Sequence, residues 1–281
     1  MQMGRAMKNI KKFFCFLFFI FASDANCLNV IIVGASSGIG RATAKLFAKN
    51  GYNVGIASRK IDSLESLKKE INEESPNVNV CVKQIDVNKE QVTRESIISL
   101  IEDLGGLDIM VVSISCYRDL GAMLGAEKDG IPKDSYLIMD VDLRGFWNVT
   151  EVARNFFMQQ KSGHIVGISS VDAVRGNANC PEYSGAKSFM ATYLEGVRNN
   201  FVQHKIPVHV TEIRPGWVEV GVDHGPDAYW IVPVEKAAKQ IFNAIKKKKK
   251  VAYVSKRWRL FAWLMQTIPD CIYNASWWKI R

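Results

Sequence analysis

The chain predicts an α/β fold: a single doubly wound parallel sheet with helices on both faces. Three observations carry this reading. Short, mostly apolar runs alternate with longer amphipathic stretches over residues 28–254, and strands buried on both faces read as such runs. The first run ends in a glycine-rich turn, Gly34-Ala35-Ser36-Ser37-Gly38-Ile39-Gly40, that opens a helical pattern. The composition, 48% apolar and 23% charged over 281 residues, is that of a globular domain and excludes a disordered chain, a fibre or a polytopic membrane protein.

The elements follow in order. Residues 28–33 read as a strand, and the helix after the glycine turn runs to Asn50. A second strand covers 52–58 and a helix 61–74, which Pro76 ends. A third strand at 78–85 precedes a helix at 90–104, and a fourth strand covers 107–113. A long helix at 134–160 leads to a strand at 164–169, and a helix at 181–204 to a strand at 207–213. A helix at 234–246 and a short strand at 251–254 close the pattern. Strands joined through helices must run parallel, because the connection returns the chain to the same end of the sheet. The expected organisation is an N-terminal segment 1–27, one domain at 28–254 and a tail at 255–281.

The net charge of +9 is unevenly spread. Residues 246–281 hold ten basic side chains against Asp270 alone, and residues 1–27 hold Arg5, Lys8, Lys11 and Lys12 against Asp24, which leaves the central domain mildly acidic. A nucleic-acid binder carries its basic stripe on the folded domain, so nucleic acid is not an expected partner. The six cysteines form no C-x-x-C pair and no Cys/His cluster; neither a disulfide scaffold nor a metal site is expected. At the N-terminus a basic start, ten mostly aromatic and aliphatic residues (13–22) and Ser23-Asp24-Ala25 have the layout of a secretory signal. The apolar stretch is far shorter than the about 20 residues that cross a bilayer. A cleaved signal, an uncleaved membrane-docking segment, an upstream start and a buried N-terminal helix all stay open.

Several motifs carry chemistry. In the glycine turn, Gly34 permits the tight bend, Gly38 lets the backbone approach a pyrophosphate, and Gly40 lets the helix lie close to the sheet. The helix start supplies free N–H groups and a partial positive charge for phosphates. The second strand runs into Ser58-Arg59-Lys60, with no carboxylate before Asp62 to accept the ribose hydroxyls of NAD; an arginine there suits the 2′-phosphate of NADP. Tyr183 and Lys187 stand four residues apart at the start of a helix and so share one face. An ammonium near a phenol favours its ionised form and brings it toward acid/base work. Ser170 ends an apolar strand at the carboxyl edge, where such sheets place ligands.

These residues, in this order and spacing, resemble the short-chain dehydrogenase/reductase family, with its G-x-x-x-G-x-G turn, serine and Y-x-x-x-K, over about residues 28–245. The resemblance implies a single Rossmann-type domain that exchanges hydride between NADP(H), in preference to NAD(H), and a carbonyl/alcohol pair. It implies that Tyr183 exchanges the proton of the substrate oxygen, that Ser170 holds that oxygen, and that Lys187 binds the nicotinamide ribose and assists Tyr183. It places Gly34, Ser36, Ser37, Gly38, Ile39 and Gly40 around the cofactor phosphates, Asp86 and Val87 by the adenine, Ser115 beside the cofactor, and Pro215 and Gly216 by the nicotinamide. Asp142, in Val141-Asp142-Leu143-Arg144-Gly145, occupies the position of the family's catalytic asparagine and lacks its amide donor. Two further departures are Ile114-Ser115, where the family uses small residues, and Val33, where it usually has threonine. They keep a second reading open, a non-catalytic NADP-binding regulator or interaction protein on the same fold.

Trp217, Val218, Tyr229, Trp230 and Ile231 fall in the family's substrate loop and suit a lipophilic ketone or alcohol; a lid or subunit contact would use them equally. In the tail, Trp258, Trp263, Trp277 and Trp278 are four of the seven tryptophans, set among the ten basic residues of 246–281. Basic groups with interfacial tryptophans suit an anionic membrane surface, and a helix docked on a neighbouring subunit is the competing reading. A homo-oligomer through the helices at 134–160 and 181–204 is expected from the resemblance. The cytoplasm, where NADPH is abundant, is the expected location, with peripheral membrane attachment; export stays open.

Overall fold

The computed structural model describes residues 27–116, 133–177, 180–221 and 228–273. The N-terminal stretch 1–26, the middle of the substrate loop (222–227), Trp277 and Trp278 lie outside the described residues.

In chain order the first half comprises β1 (Asn29–Val33), α1 (Gly38–Lys49), β2 (Asn53–Ser58), α2 (Ile61–Glu74), β3 (Val80–Gln84), α3 (Glu90–Leu104) and β4 (Ile109–Val112). The second half continues with α4 (Lys133–Ile138), a π-helical turn (Met139–Gly145), α5 (Phe146–Gln160), β5 (Gly163–Ile168), a 3-10 turn (Val171–Val174), α6 (Pro181–Gln203) and β6 (Val208–Pro215). The two-residue strands β7 (Val218–Glu219) and β8 (Val232–Pro233), then α7 (Val234–Lys246), β9 (Val251–Val254), α8 (Arg257–Thr267) and α9 (Asp270–Tyr273) complete it.

Seven strands form one parallel sheet in the order β3-β2-β1-β4-β5-β6-β9. The apolar runs have a direct cause. Within β1, Ile31 and Val33 enter the apolar cluster on one face with Phe146, Leu194 and Phe201, while Val30 and Ile32 enter the other with Phe47, Ile56 and Phe242. Both faces are covered, so Val30 to Val33 are all core, while the edge strands β3 and β9 keep half-buried and exposed positions. Chain order reverses between β1 and β4, and such a switch opens a crevice at the carboxyl ends of the strands.

Two details depart from the sequence reading. The helix expected over 134–160 is interrupted by the π turn Met139–Gly145, a local widening that often marks functional positions. The residues after Val254 lie on the domain rather than apart from it: Trp258, Ala262 and Met265 of α8 are buried. Among the described residues, no helix is long and apolar enough to cross a membrane.

Candidate active site

The carboxyl edge around the β1/β4 switch gathers the predicted residues. Gly34 has φ +93°, and a Cβ built there would sit 2.2 Å from the carbonyl oxygen of Ser113 beyond β4. A Cβ on Gly40 would likewise sit 2.2 Å from the Gly34 oxygen. Only glycine lets the turn, the sheet and α1 meet this closely. Ser37 caps α1 without a side-chain hydrogen bond, and the first turn holds no acidic residue. The N–H groups of this first turn therefore have neither a capping side chain nor a first-turn carboxylate competing for them, as a phosphate-binding start requires. Ile39 is half-buried against the apolar cluster behind it. The cradle fits the pyrophosphate of a dinucleotide.

Arg59 is exposed at the end of β2, and its guanidinium pairs with no carboxylate among the described residues; its carbonyl accepts from the Gln84 side chain at 2.9 Å. Asp86 follows β3 and caps the turn into α3, its carboxylate accepting from Asn88 N–H at 3.3 Å. Val87 is buried, with its carbonyl accepting from Asn148 at 2.8 Å. Ile114 is taken up by the apolar cluster beneath the edge.

Strand alternation sorts the two serines after β5. Ser169 donates to Glu212 at 2.7 Å, and Ser170 faces the other way. Ser170 Oγ accepts from Asp172 N–H and donates to Asp172 Oδ2, both at 3.1 Å, which fixes the 3-10 turn. Ser188 ties that turn to α6 by donating to the Ala173 carbonyl at 2.9 Å. Burial pushes the Asp172 carboxyl above its ordinary range, against its bonds to Ser170 and Asn177 and the field of Lys187. Tyr183 lies half-buried on the first turn of α6, packed with Ile138, Cys180 and Ala186.

Lys187 sits one turn further on α6, with its Nζ 5.1 Å from the centre of the Tyr183 ring. Its ammonium forms an ion pair with Asp142 Oδ2 at 2.8 Å, both side chains at most 1% exposed. Ser115 joins them, accepting from Lys187 at 3.0 Å and donating to Asp142 at 2.9 Å. The second carboxylate oxygen of Asp142 accepts from Cys116 N–H at 2.6 Å. Ser115 is thus bound into the lysine network.

Pro215 and Gly216 end β6, and the Gly216 N–H bonds the Val254 carbonyl at 2.7 Å. A Cβ on Gly216 would lie 2.0 Å from the Trp258 indole, so α8 covers this turn. Trp258 stacks on Tyr229 at 5.5 Å and meets Trp230 and Phe261 at 5.4 and 5.3 Å. Arg175, after the 3-10 turn, donates to the Met265 and Ile268 carbonyls at 2.7 and 2.6 Å and pairs with Asp270 at 2.5 Å. Sequence reasoning missed Asp172 and the docking of α8. The carboxylate two residues beyond Ser170 was a readable turn signal; nothing local marks α8 as a neighbour of Gly216.

Comparison with known proteins agrees with this fold. The family model described as short chain dehydrogenase matches residues 28–226. An uncharacterized oxidoreductase of Mycobacterium tuberculosis is 31% identical over 191 residues, 68% of this chain and 73% of that protein. One from Myxococcus xanthus is 32% identical over 190 residues, covering 67% and 71%. Among solved structures, a short-chain dehydrogenase from Sphingobium yanoikuyae in complex with NADPH superposes with a TM-score of 0.71 at 20% identity, covering 86% of this chain and 97% of that one. The bulky-bulky ketone specific alcohol dehydrogenase from Comamonas testosteroni gives 0.70 at 20%, covering 87% and 96%. Fold and relatives define an oxidoreductase built on a dinucleotide-binding sheet. The chain belongs to the short-chain dehydrogenase family and acts on alcohol or carbonyl groups.

Proposed function

We propose that the protein is an NADP(H)-dependent oxidoreductase that interconverts a lipophilic ketone and its alcohol, with Ser170, Tyr183 and Lys187 as the working set. The observation that carries this is the placement of Tyr183 and Lys187 on one face of α6, beside the turn that Ser170 opens. Bound NADP(H) supplies or accepts the hydride. Ser170 holds the substrate oxygen by a hydrogen bond. Tyr183 gives that oxygen its proton during reduction and takes it back during oxidation. Lys187, cationic and next to the ring, favours the phenolate that each cycle passes through. The cradle at Gly34–Gly40 holds the pyrophosphate at the middle of the cofactor, with Asp86 and Val87 by its adenine and the turn at Pro215-Gly216 by its nicotinamide.

The preference for NADP(H) rests on Arg59, whose exposed guanidinium at the end of β2 stands without a carboxylate partner among the described residues. The neighbouring structures bound to NADPH and to 5-hydroxy-NADP are in keeping with it. The lipophilic substrate rests on the aromatic wall of Tyr229, Trp230, Trp258 and Phe261; the Comamonas enzyme is described as specific for bulky-bulky ketones. The non-catalytic reading is not favoured, because Ser170, Tyr183 and Lys187 are all in place. A cytoplasm-facing protein, docked on an anionic membrane through its basic C-terminal part and paired with a second copy through α5 and α6, completes the proposal. Exposed Trp147 and Val202 on those helices support the pairing.

Tyr183→Phe removes the exchangeable proton and leaves the ring. Turnover of a ketone substrate should fall by roughly 100-fold or more, while NADPH still quenches tryptophan emission with nearly unchanged affinity. Retained turnover would remove Tyr183 from the mechanism.

A further inference from the structure

We propose that Asp142 is a positioning residue: its carboxylate is the counter-ion that keeps the buried Lys187 charged and fixed beside Tyr183. This rests on the reading of Tyr183 and Lys187 given above and deepens it.

An ammonium withdrawn from water sheds its proton unless an anion compensates. Lys187 is 1% exposed, so something must offset its desolvation. Among the described residues its Nζ meets Asp142 Oδ2 at 2.8 Å, Ser115 Oγ at 3.0 Å and Met190 Sδ at 3.7 Å. Only the first is an anion. The other groups around the pair fall short of that role. Asp172, from the 3-10 turn, acts on Lys187 without touching it, and burial favours its neutral form. The Cys180 thiol is pushed up by burial and by Glu182, Asp172 and Asp142, which keeps it uncharged. On the π turn, Asp140 and Arg144 pair with each other at 2.6 Å on the exposed side. Cys116 contributes its backbone N–H, and Tyr183 contributes its ring face.

Asp142 is also held more firmly than a bystander requires. Cys116 N–H bonds one oxygen, Ser115 the other, and the π turn aims the residue inward. An asparagine here would keep an acceptor for Lys187 but supply no charge. The chain therefore fixes its lysine by a direct ion pair.

The test uses the full chain labelled at lysine carbons next to Nζ, with the Lys187 signal assigned by its loss in Lys187→Met. Titration is followed by NMR with and without NADPH. In Asp142→Asn the Lys187 signal should lose its proton at least about one pH unit earlier than in the wild type. The alkaline limb of the turnover profile should move down with it. An unmoved Lys187 titration in a folded variant overturns the proposal, whatever the activity. Breaking a buried pair also costs stability, so Asp142→Asn should lower Tm by roughly 10 °C. If that variant does not fold, the double variant Asp142→Asn/Lys187→Met decides: most of the lost Tm should return once no charge is left unpaired. No recovery would mean that Asp142 matters only through Ser115 and Cys116, and the proposal fails. These readouts do not depend on turnover, so they stand or fall apart from the Tyr183→Phe result.

Discussion

At the scale of single residues, the site is set by atoms that are missing as much as by those present. Gly34 and Gly40 let three backbones converge where a Cβ would sit 2.2 Å from a carbonyl oxygen. Arg59 matters for the opposite reason, since it offers a charge that no carboxylate among the described residues pairs with. A 2′-phosphate gives that guanidinium an anionic, bidentate partner, and a ribose hydroxyl carries no charge to pair with it. Arg59→Asp should weaken NADPH binding by roughly 10- to 100-fold, the worth of one such bond, and improve NADH binding, because a carboxylate accepts from both ribose hydroxyls. Titration by quenching of tryptophan emission measures both. An unchanged ratio of the two affinities would remove Arg59 from cofactor selection. The exposure of Arg59 makes loss of folding an unsuitable explanation for a positive result.

At the scale of elements, the β5–β6 pair shows how packing sets a pH response. His164 and His209 stand opposite each other in register, and His164 Nε2 meets Thr211 Oγ1 at 2.7 Å in the buried sheet. Burial, with His209 and Lys248 adding to it, lowers the His164 pKa from 6.5 to about 3. The unfolded chain therefore takes up a proton at His164 that the folded chain refuses. The stability tied to this histidine is present above pH 6.5 and is lost as pH falls toward 3. At about pH 4.5 the loss is about 2–3 kcal/mol relative to pH 7. In His164→Gln, which cannot titrate, urea unfolding should show that much less acid sensitivity, and an equal loss in both proteins would rule the histidine out. The same elements show what the sequence could reveal. The strand at 28–33 was legible because both faces are buried along Val30 to Val33 and each of those residues had to be apolar. The glycine turn, Ser170 and the Tyr183–Lys187 spacing were legible because local geometry demands those residues. The contact of Asp142 with Lys187 spans 45 positions and that of Trp258 with Gly216 spans 42. Such contacts depend on how whole elements dock, and no local pattern encodes them. The π turn that aims Asp142 inward was likewise hidden within an apparently regular helical period.

At the scale of the whole molecule, basic charge is concentrated in the C-terminal part, where exposed apolar side chains accompany it. Helix α8 buries Trp258, Ala262 and Met265 against the domain and turns Leu260, Trp263 and Leu264 outward, 70%, 59% and 40% exposed. Residues 260, 263 and 264 share one helical face, beside exposed Lys256, Arg257 and Arg259. Arg175 locks the far end of α8 through two carbonyls and Asp270, so this face is presented on a rigid support. A second copy of the mildly acidic domain would answer the charge. An anionic lipid surface answers both the charge and the tryptophan, whose ring favours the headgroup level. Each basic side chain near such a surface adds about 1 kcal/mol, which salt removes. The full chain should therefore sediment with phosphatidylserine-containing vesicles at low salt, stay in solution with neutral vesicles, and be released by high salt. Trp263→Ala should weaken the association several-fold without changing NADPH binding, because Trp263 points away from Gly216 and the wall at Trp258. Failure to sediment at low salt would leave the exposed face to a second copy, and concentration-dependent dimerisation lost in the same variant would then identify it.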